Sequence, residues 1–180
     1  MSKVQVNNSE INAKIQLRQA FLPKCELSVL DMFAGNGIMW RSIQQDRNDK
    51  IKVLSIDSKT ARKNVLIGDN RKFLARLDLS QFNVIDVDAY GFPWLQLRHV
   101  LLSDFIGHIY LTWIASGLSR LPTAFLIDFG YTDKMIKSAP ILLSKNPLEK
   151  LKKVLPKYGI YSIDHITIRR KNYIHIHKGV

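Results

Sequence analysis

The sequence contains almost no cysteine: Cys25 is the only one in 180 residues. A single thiol cannot form a disulfide within the chain, which argues against a disulfide-stabilised secreted scaffold and favours a reducing compartment. No apolar run approaches the about 20 residues that a membrane-spanning helix needs. The N-terminal segment MSKVQVNNSE also lacks the apolar stretch of a signal peptide. These absences predict a cytoplasmic protein without a membrane segment.

Acidic residues are scarce relative to basic ones. The chain has 15 Asp and Glu against 27 Lys and Arg, which gives a formal net charge of +12. The imbalance is largest from Lys134 to the C-terminus, where eleven basic residues face two acids. The positive electrostatic potential of such a protein attracts polyanions and speeds their association with it. Nucleic acid is therefore the expected partner, and a basic protein without such a partner is the alternative.

Apolar segments of two kinds alternate along the chain. Short buried-type runs predict strands at LSVLDMF, KVLSID, FNVIDVD and HIYLTWIA. Helical spacing predicts helices at NAKIQLRQAFLP, NGIMWRSIQQ, SKTARKNVLIG, DNRKFLARL, GFPWLQLRHVLLSDFI and PLEKLKKVLPKYG. The alternation predicts one α/β domain over residues 1–180, with a Rossmann-like, mostly parallel sheet flanked by helices. The first 12 residues are polar, and we expect them to be flexible.

The tail IYSIDHITIRRKNYIHIHK alternates between apolar and polar residues in both of its halves. This pattern predicts a C-terminal antiparallel hairpin with RRKN as its turn. Arg169, Arg170 and Lys171 would then form a basic turn that can contact phosphates, with a solvated turn as the alternative.

Three histidines lie on the predicted hairpin, namely His165, His175 and His177. Residues two apart on a strand share a face, so a cluster of ring nitrogens is conceivable. Neither a cysteine nor a suitably spaced acid joins them, so the sequence favours exposed histidines and no metal site.

Carboxylates follow three of the predicted strands. Asp31 precedes FAGNG, Asp57 ends the next strand, and Asp88 precedes AYG. In open α/β sheets ligands bind at the carboxyl ends of the strands, so these side chains are expected to line one cleft. Asp86 and Asp88, two residues apart, should point to the same face of their strand.

The loop after the first predicted strand carries Gly35 and Gly37. Glycine allows positive φ and close approach of a ligand to the backbone, and the following helix offers free N–H groups. A dinucleotide site has a third glycine three residues later, where this chain has the bulky Trp40. A dinucleotide-dependent oxidoreductase is therefore disfavoured, and a purely structural turn remains an alternative.

Three polar residues further along suit a nucleoside. Asp57 is placed to accept both hydroxyls of a ribose, and Asp69 with Asn70 is placed to bond an adenine amino group. For Asp57 and Asp69 the alternative is a simple helix cap.

Together the segments VLDMFAGNG, LSIDSK, IGDNRKFL and FNVIDVDAYGFP resemble the first four motifs of class I S-adenosylmethionine-dependent methyltransferases. The last segment most resembles the tRNA guanine-N2 dimethyltransferases, with Ala89 where that family has proline. The resemblance implies S-adenosylmethionine as cofactor and transfer of its methyl group to an exocyclic amine of a base, in RNA rather than DNA. It implies a cofactor site formed by Asp31, Phe33, Gly35, Gly37, Asp57, Asp69 and Asn70, and an Asp88 that faces the target amine.

Aromatic residues after Asp88 are candidates for contact with the base. Tyr90 is predicted to stack on it and to act with Asp88 in catalysis, since aromatic faces hold extruded or single-stranded bases. Phe92 is a further candidate for substrate binding, with a core position as the alternative for Phe92 and for Trp94. Two other functions stay open: a DNA base methyltransferase, and a non-catalytic nucleic-acid-binding module with a degenerate cofactor pocket.

Overall fold

The computed structural model describes residues 10–59, 64–114, 120–169 and 171–179. Within them the strands form one seven-stranded sheet. The strands are β1 (Leu27–Asp31), β2 (Ile51–Asp57), β3 (Val65–Ile67), β4 (Val84–Asp88), β5 (Gly107–Ile114), β6 (Asp164–Ile168) and β7 (Lys171–Lys178). The helices are α1 (Ile11–Phe21), α2 (Ile38–Gln45), α3 (Asn70–Leu74), α4 (Trp94–Leu102), α5 (Thr123–Phe129), α6 (Asp133–Ser138), α7 (Pro140–Leu143) and α8 (Pro147–Val154).

The sheet has the order β3-β2-β1-β4-β5-β7-β6, with β7 antiparallel to both of its neighbours and the other pairs parallel. The chain order reverses between β1 and β4, which is where open α/β sheets form their ligand crevice. The predicted α/β fold with a mostly parallel sheet and a C-terminal antiparallel hairpin is confirmed.

Hydrophobic cores lie on both faces of the sheet because its central strands are apolar on both sides. On one face, α1 and α2 pack over a cluster that includes Val29, Trp40 and Tyr110. On the other face, α4, α5 and α8 cover a larger cluster that includes Trp94 and Phe125. None of the helices in the described ranges is long and apolar enough to cross a membrane.

Three local predictions need correction. The helix predicted over SKTARKNVLIG is wrong in its last part, where β3 forms; residues 60–63 lie outside the described residues. Asn64 has a positive φ of 65°, which is incompatible with a continuing helix, and the β-branched Val65 and Ile67 favour a strand. The long helix predicted from residue 91 to 106 is only α4. It ends at Ser103, whose hydroxyl donates to the carbonyl of Val100.

The remaining correction concerns the end of the chain. Of the N-terminal segment expected to be flexible, residues 1–9 lie outside the described residues, and α1 begins at Ile11. The hairpin turn is shorter than RRKN, because Lys171 and Asn172 already pair with Ile168 and Thr167.

Candidate cofactor and active site

Asp57, at the end of β2, forms hydrogen bonds to the loop after β1 and to the residue after β3. Asp57 Oδ2 accepts a hydrogen bond from the Gly35 amide at 2.9 Å, and its backbone carbonyl accepts one from Gly68 at 3.1 Å. Gly35 and Gly37 have φ values of +48° and +62°, and Gly37 is the N-cap of α2. Most side chains strain such a backbone, so glycine is favoured at these positions. Both glycines are half-buried and bring main chain without side chains to the end of β1.

Asp31 is a buried acid at the end of β1, with 3% of its surface exposed. Its carboxylate accepts one long hydrogen bond, 3.4 Å from the amide of Phe33, and it forms no ion pair with any described residue. Burial, followed by the negative charges of Asp86 and Asp88, raises the pKa of Asp31 well above its ordinary value. The end of β1 therefore holds a buried carboxyl group that has no ion-pair partner among the described residues.

Asp86 lies opposite Asp31 on the neighbouring strand and is completely buried. The Arg18 guanidinium donates to both of its carboxylate oxygens, Nε to Oδ2 at 2.9 Å and Nη2 to Oδ1 at 2.6 Å. The Trp40 indole also donates to Oδ2, at 3.0 Å. Asp86 thus joins α1, α2 and β4, and the buried Trp40 stands where the dinucleotide motif has the glycine that lets its helix pack closely on the strand.

Asp88, at the end of β4, forms an ion pair with Lys14. The distance from Nζ to Oδ2 is 2.5 Å, and the two side chains are only 24% and 15% exposed. Lys14 and Arg18 are four residues apart on α1, which is a rise of about 6 Å. Asp86 and Asp88 are two residues apart on β4, a rise of roughly 6.6 Å. The two spacings match, and both acids point to the face covered by α1, as predicted.

Asp31, Asp86 and Asp88 form one carboxylate cluster that the sequence revealed only in part. The three acids were visible as residues at or near strand ends. The two basic residues were not, because α1 reads simply as a short amphipathic helix. The signal that could have identified them is the pair of cations four residues apart within that helix.

Asp69 and Asn70 lie at the end of β3. Asp69 caps α3, accepts from the Arg71 amide at 3.0 Å and forms an ion pair with the Arg71 guanidinium. Asn70 donates to the Met32 carbonyl at 3.2 Å and accepts from the Gln96 amide at 2.9 Å. The helix cap considered for Asp69 is present, and contact with an adenine stays a prediction for both residues.

The aromatic residues after β4 have different environments. Tyr90 is 96% exposed and lies on the loop that follows Asp88. Phe92 packs edge-on against Trp113 and Phe125, with ring centroids 4.5 and 4.8 Å apart. Trp94 is buried. The structure thus places Phe92 against the core, and its contact with substrate stays a prediction.

The start of β7 lies level with the carboxyl ends of the parallel strands, because Lys171 pairs with Ile114 at the end of β5. Arg169 is exposed and lines a cavity of about 320 Å³ with Glu10, Asn12, Ala13 and Ile168. Lys171 is partly neutralised, since its Nζ lies 3.0 Å from Glu10 Oε2. Arg170 lies outside the described residues.

The histidines of the hairpin lie away from its turn. The expectation that all of them are exposed is wrong for His175. This residue is buried, stacks on Phe21 and lies between His108 and Asp164. His175 Nε2 is 2.9 Å from His108 Nδ1, and His175 Nδ1 is 3.1 Å from Asp164 Oδ2. His177 is exposed, and so is His165.

Comparisons of sequence find no relative: no family model matches the chain, and no curated protein does. Solved structures do resemble it. Phosphoethanolamine N-methyltransferase 2 of Haemonchus contortus, solved with S-adenosyl-L-methionine, has a TM-score of 0.59 at 11% identity over 94% of this chain and 53% of its own. A protein of Methanococcus maripaludis assigned as an S-adenosyl-L-methionine-dependent methyltransferase has a TM-score of 0.52 at 14% identity over 96% of this chain and 89% of its own.

The pyocyanin biosynthetic protein PhzM also matches, with a TM-score of 0.54 at 12% identity over 96% of this chain and 56% of its own. This chain therefore spans only about half the length of two of these proteins. At such low identity the likeness defines the architecture alone. Together with the strand order, it shows that the chain has the fold of the class I S-adenosylmethionine-dependent methyltransferases.

Proposed function

We propose that this protein is a methyltransferase that binds S-adenosylmethionine at the ends of β1, β2 and β3. The observation that carries the proposal is the buried carboxyl group of Asp31, which has no ion-pair partner among the described residues although Asp86 and Asp88 each have one. Asp31, Asp86 and Asp88 contribute three negative charges when ionised, and the described ion pairs to them come from Lys14 and Arg18. S-adenosylmethionine carries one net positive charge, which would complete the balance and favour the ionised form of Asp31.

The chain's own groups suit the parts of this cofactor. Gly35 and Gly37 leave room for the methionine portion to run along the backbone, beside Asp31 and Phe33. Asp57 Oδ2 accepts from the Gly35 amide and so holds the glycine loop. Asp57 Oδ1 accepts from the Lys59 amide at 2.8 Å and so holds a local turn. Lone pairs remain on both oxygens for ribose hydroxyls. Asp69 and Asn70 follow on the next strand end for the adenine.

We infer that the acceptor is an exocyclic amine of a base in RNA. When bound, the cofactor supplies an electrophilic methyl group on a sulfonium. Asp88 would accept the N–H groups of the amine and favour the geometry in which the nitrogen lone pair points forward. To do so it must release or share Lys14. The exposed Tyr90 would stack on the base, and single-stranded RNA presents bases that are free to stack in this way.

Charge supports a nucleic-acid substrate. The net charge is +12, and Arg169 and Lys171 lie at the end of the strands where the reaction would occur. Phosphate contacts there would position the strand without reading its sequence. A DNA base methyltransferase has the same chemistry. A binding module without activity is favoured by one feature, Ala89 in place of the proline of the resembled motif.

Transfer of a labelled methyl group to total RNA and, in parallel, to DNA tests the proposal. We expect label in RNA with the wild-type protein and its loss with Asp88→Ala, while the affinity for S-adenosylmethionine stays within a few-fold. Label in DNA alone would identify the DNA enzyme. Nucleic-acid binding without label in either would identify the binding module, and Asp88→Ala that abolished cofactor binding would assign Asp88 to the cofactor instead.

A further inference from the structure

Lys14 occupies the position that the proposed function gives to the acceptor nitrogen. Its Nζ lies 2.5 Å from Asp88 Oδ2, within hydrogen-bonding distance of the carboxylate that would hold a target amine. The amine that actually contacts Asp88 in this structure is therefore one that the chain itself supplies.

The position of Lys14 is built into the fold. One turn further along α1, the buried Arg18 holds Asp86 through two hydrogen bonds. Just before α1 begins, Glu10 accepts from the Tyr173 hydroxyl at 2.7 Å and pairs with Lys171. Because α1 is fixed on both sides of Lys14, the lysine stem starts from a defined point and its ammonium reaches the end of β4.

Lys14 also differs from a surface lysine in its surroundings. Its side chain is 24% exposed, and that of its partner Asp88 is 15% exposed. By contrast, the pair between Lys52 and Glu26 is more than half exposed on both sides. Exposed pairs of that kind contribute little and exchange freely with water. The Lys14 ammonium is instead held on Asp88, two residues beyond the Asp86 that pairs with Asp31 across the neighbouring strands.

We propose that Lys14 Nζ is itself a methyl acceptor of this site, so that the protein methylates its own N-terminal helix; this rests on the proposed binding of S-adenosylmethionine. The Lys14 ammonium gives a proton to the Asp88 carboxylate, and the freed lone pair forms a bond to the methyl carbon. The carbon–sulfur bond breaks at the same time, and its electron pair stays on sulfur in the departing S-adenosylhomocysteine. The products are N-methylated Lys14, whose nitrogen is again a four-substituted cation, and a neutral thioether; the proton left on Asp88 is released to water.

Mass spectrometry of the full chain after incubation with S-adenosylmethionine carrying a trideuterated methyl group tests this step. A digest that does not depend on cleavage at lysine should show the label on the peptide that contains Lys14. Lys14→Arg keeps a cation opposite Asp88 and should lose this label. Lys24→Arg, at an exposed lysine outside the crevice, should keep it. The fraction of protein labelled per unit time should be independent of protein concentration over a tenfold range. A fraction per unit time that rises in proportion to concentration would contradict transfer within one molecule.

Calorimetry gives a second readout that does not depend on turnover. If Nζ lies next to the sulfonium, Lys14→Met removes a repulsive charge and should tighten S-adenosylmethionine severalfold while changing the affinity for neutral S-adenosylhomocysteine less than twofold. Cofactor binding without label on Lys14, or equal effects on both ligands, would overturn the inference and leave the proposed function standing. Absence of cofactor binding in the wild-type protein would overturn both.

Discussion

The Asp57 carboxylate accepts a hydrogen bond from the backbone amide of Gly35, with Oδ2 2.9 Å from the nitrogen. This contact crosses from the end of β2 to the loop after β1. It holds that loop in one conformation, in which Gly35 and Gly37 both have positive φ angles. Without such a contact, glycine backbone samples many conformations. Asp57 therefore shapes the loop, and in the proposed function it also accepts from the ribose hydroxyls.

Replacing Asp57 tests both of these roles. Asp57→Ala should weaken binding of S-adenosylmethionine by about 1–3 kcal/mol, because hydroxyl groups of the ligand would lose their acceptor. Titration calorimetry measures the difference. The control is Asp78→Ala, at an exposed acid that caps a 3-10 turn ahead of β4, where the affinity should stay as in the wild type. Equal weakening in the two variants would contradict the assignment.

The contact of Arg18 with Asp86 should dominate the stability of α1 on the sheet. Arg18→Met leaves the buried Asp86 carboxylate with the Trp40 indole as its remaining side-chain donor among the described residues. Removing one partner of a buried ion pair typically costs about 3–5 kcal/mol. Urea unfolding should show a loss of this size for Arg18→Met and a change near zero for the exposed Arg76→Met. A loss below about 1 kcal/mol, the range of an exposed pair, would mean that water reaches Asp86.

Asp31 should make the ligand-free protein less stable as the pH rises. Burial and the neighbouring acids raise the pKa of Asp31 above its ordinary 3.8, so the folded state retains a proton that the unfolded state has lost. The free energy of unfolding therefore falls between the ordinary and the raised pKa. Asp31→Asn should remove the part of this fall that Asp31 contributes and stabilise the ligand-free protein at neutral pH, as measured by urea unfolding at several pH values; the part due to Asp86, whose pKa burial also raises, should stay. Parallel pH profiles for wild type and variant would show that Asp31 is already compensated.

The contact between His108 on β5 and His175 on β7 should make the protein less stable as the pH falls. Burial, with the nearby His175 and His177, lowers the pKa of His108 from 6.5 to about 4. A lowered histidine pKa gives stability that is present above pH 6.5 and is lost as the pH falls through about 4. His108→Gln should flatten this part of the unfolding profile, whereas His165→Gln, on the exposed face of β6, should not. Asp164 and Tyr110 also lie near the His175 ring, and both stay unchanged in this comparison.

The sequence predicts the central sheet well because buried parallel strands are continuous apolar runs, as in β1 and β4. It also places Asp31, Asp57 and Asp88 at strand ends, since strand length is readable from the same runs. It fails at β3, where Val65–Ile67 is too short to distinguish from part of a helix without knowing that it lies beside β2. Local pattern cannot supply that neighbour.

Partners distant in sequence escaped prediction for the same physical reason. Asp88 and Lys14 are 74 residues apart, and His175 and His108 are 67 apart. Alternation correctly placed His175 on a strand, but its burial depends on Phe21 from α1 stacking on the ring. Charge pairs and ring contacts of this kind are decided by how helices dock on the sheet, which period and propensity do not encode.

A crystal structure of the protein grown with S-adenosylmethionine is the most direct measurement of the central claim. We expect the amino-acid part of the ligand along Gly35 and Gly37, its positive charge near Asp31, and its ribose hydroxyls within hydrogen-bonding distance of Asp57. Density for the ligand at any other place, or an empty crevice at a ligand concentration that saturates binding in calorimetry, would contradict it.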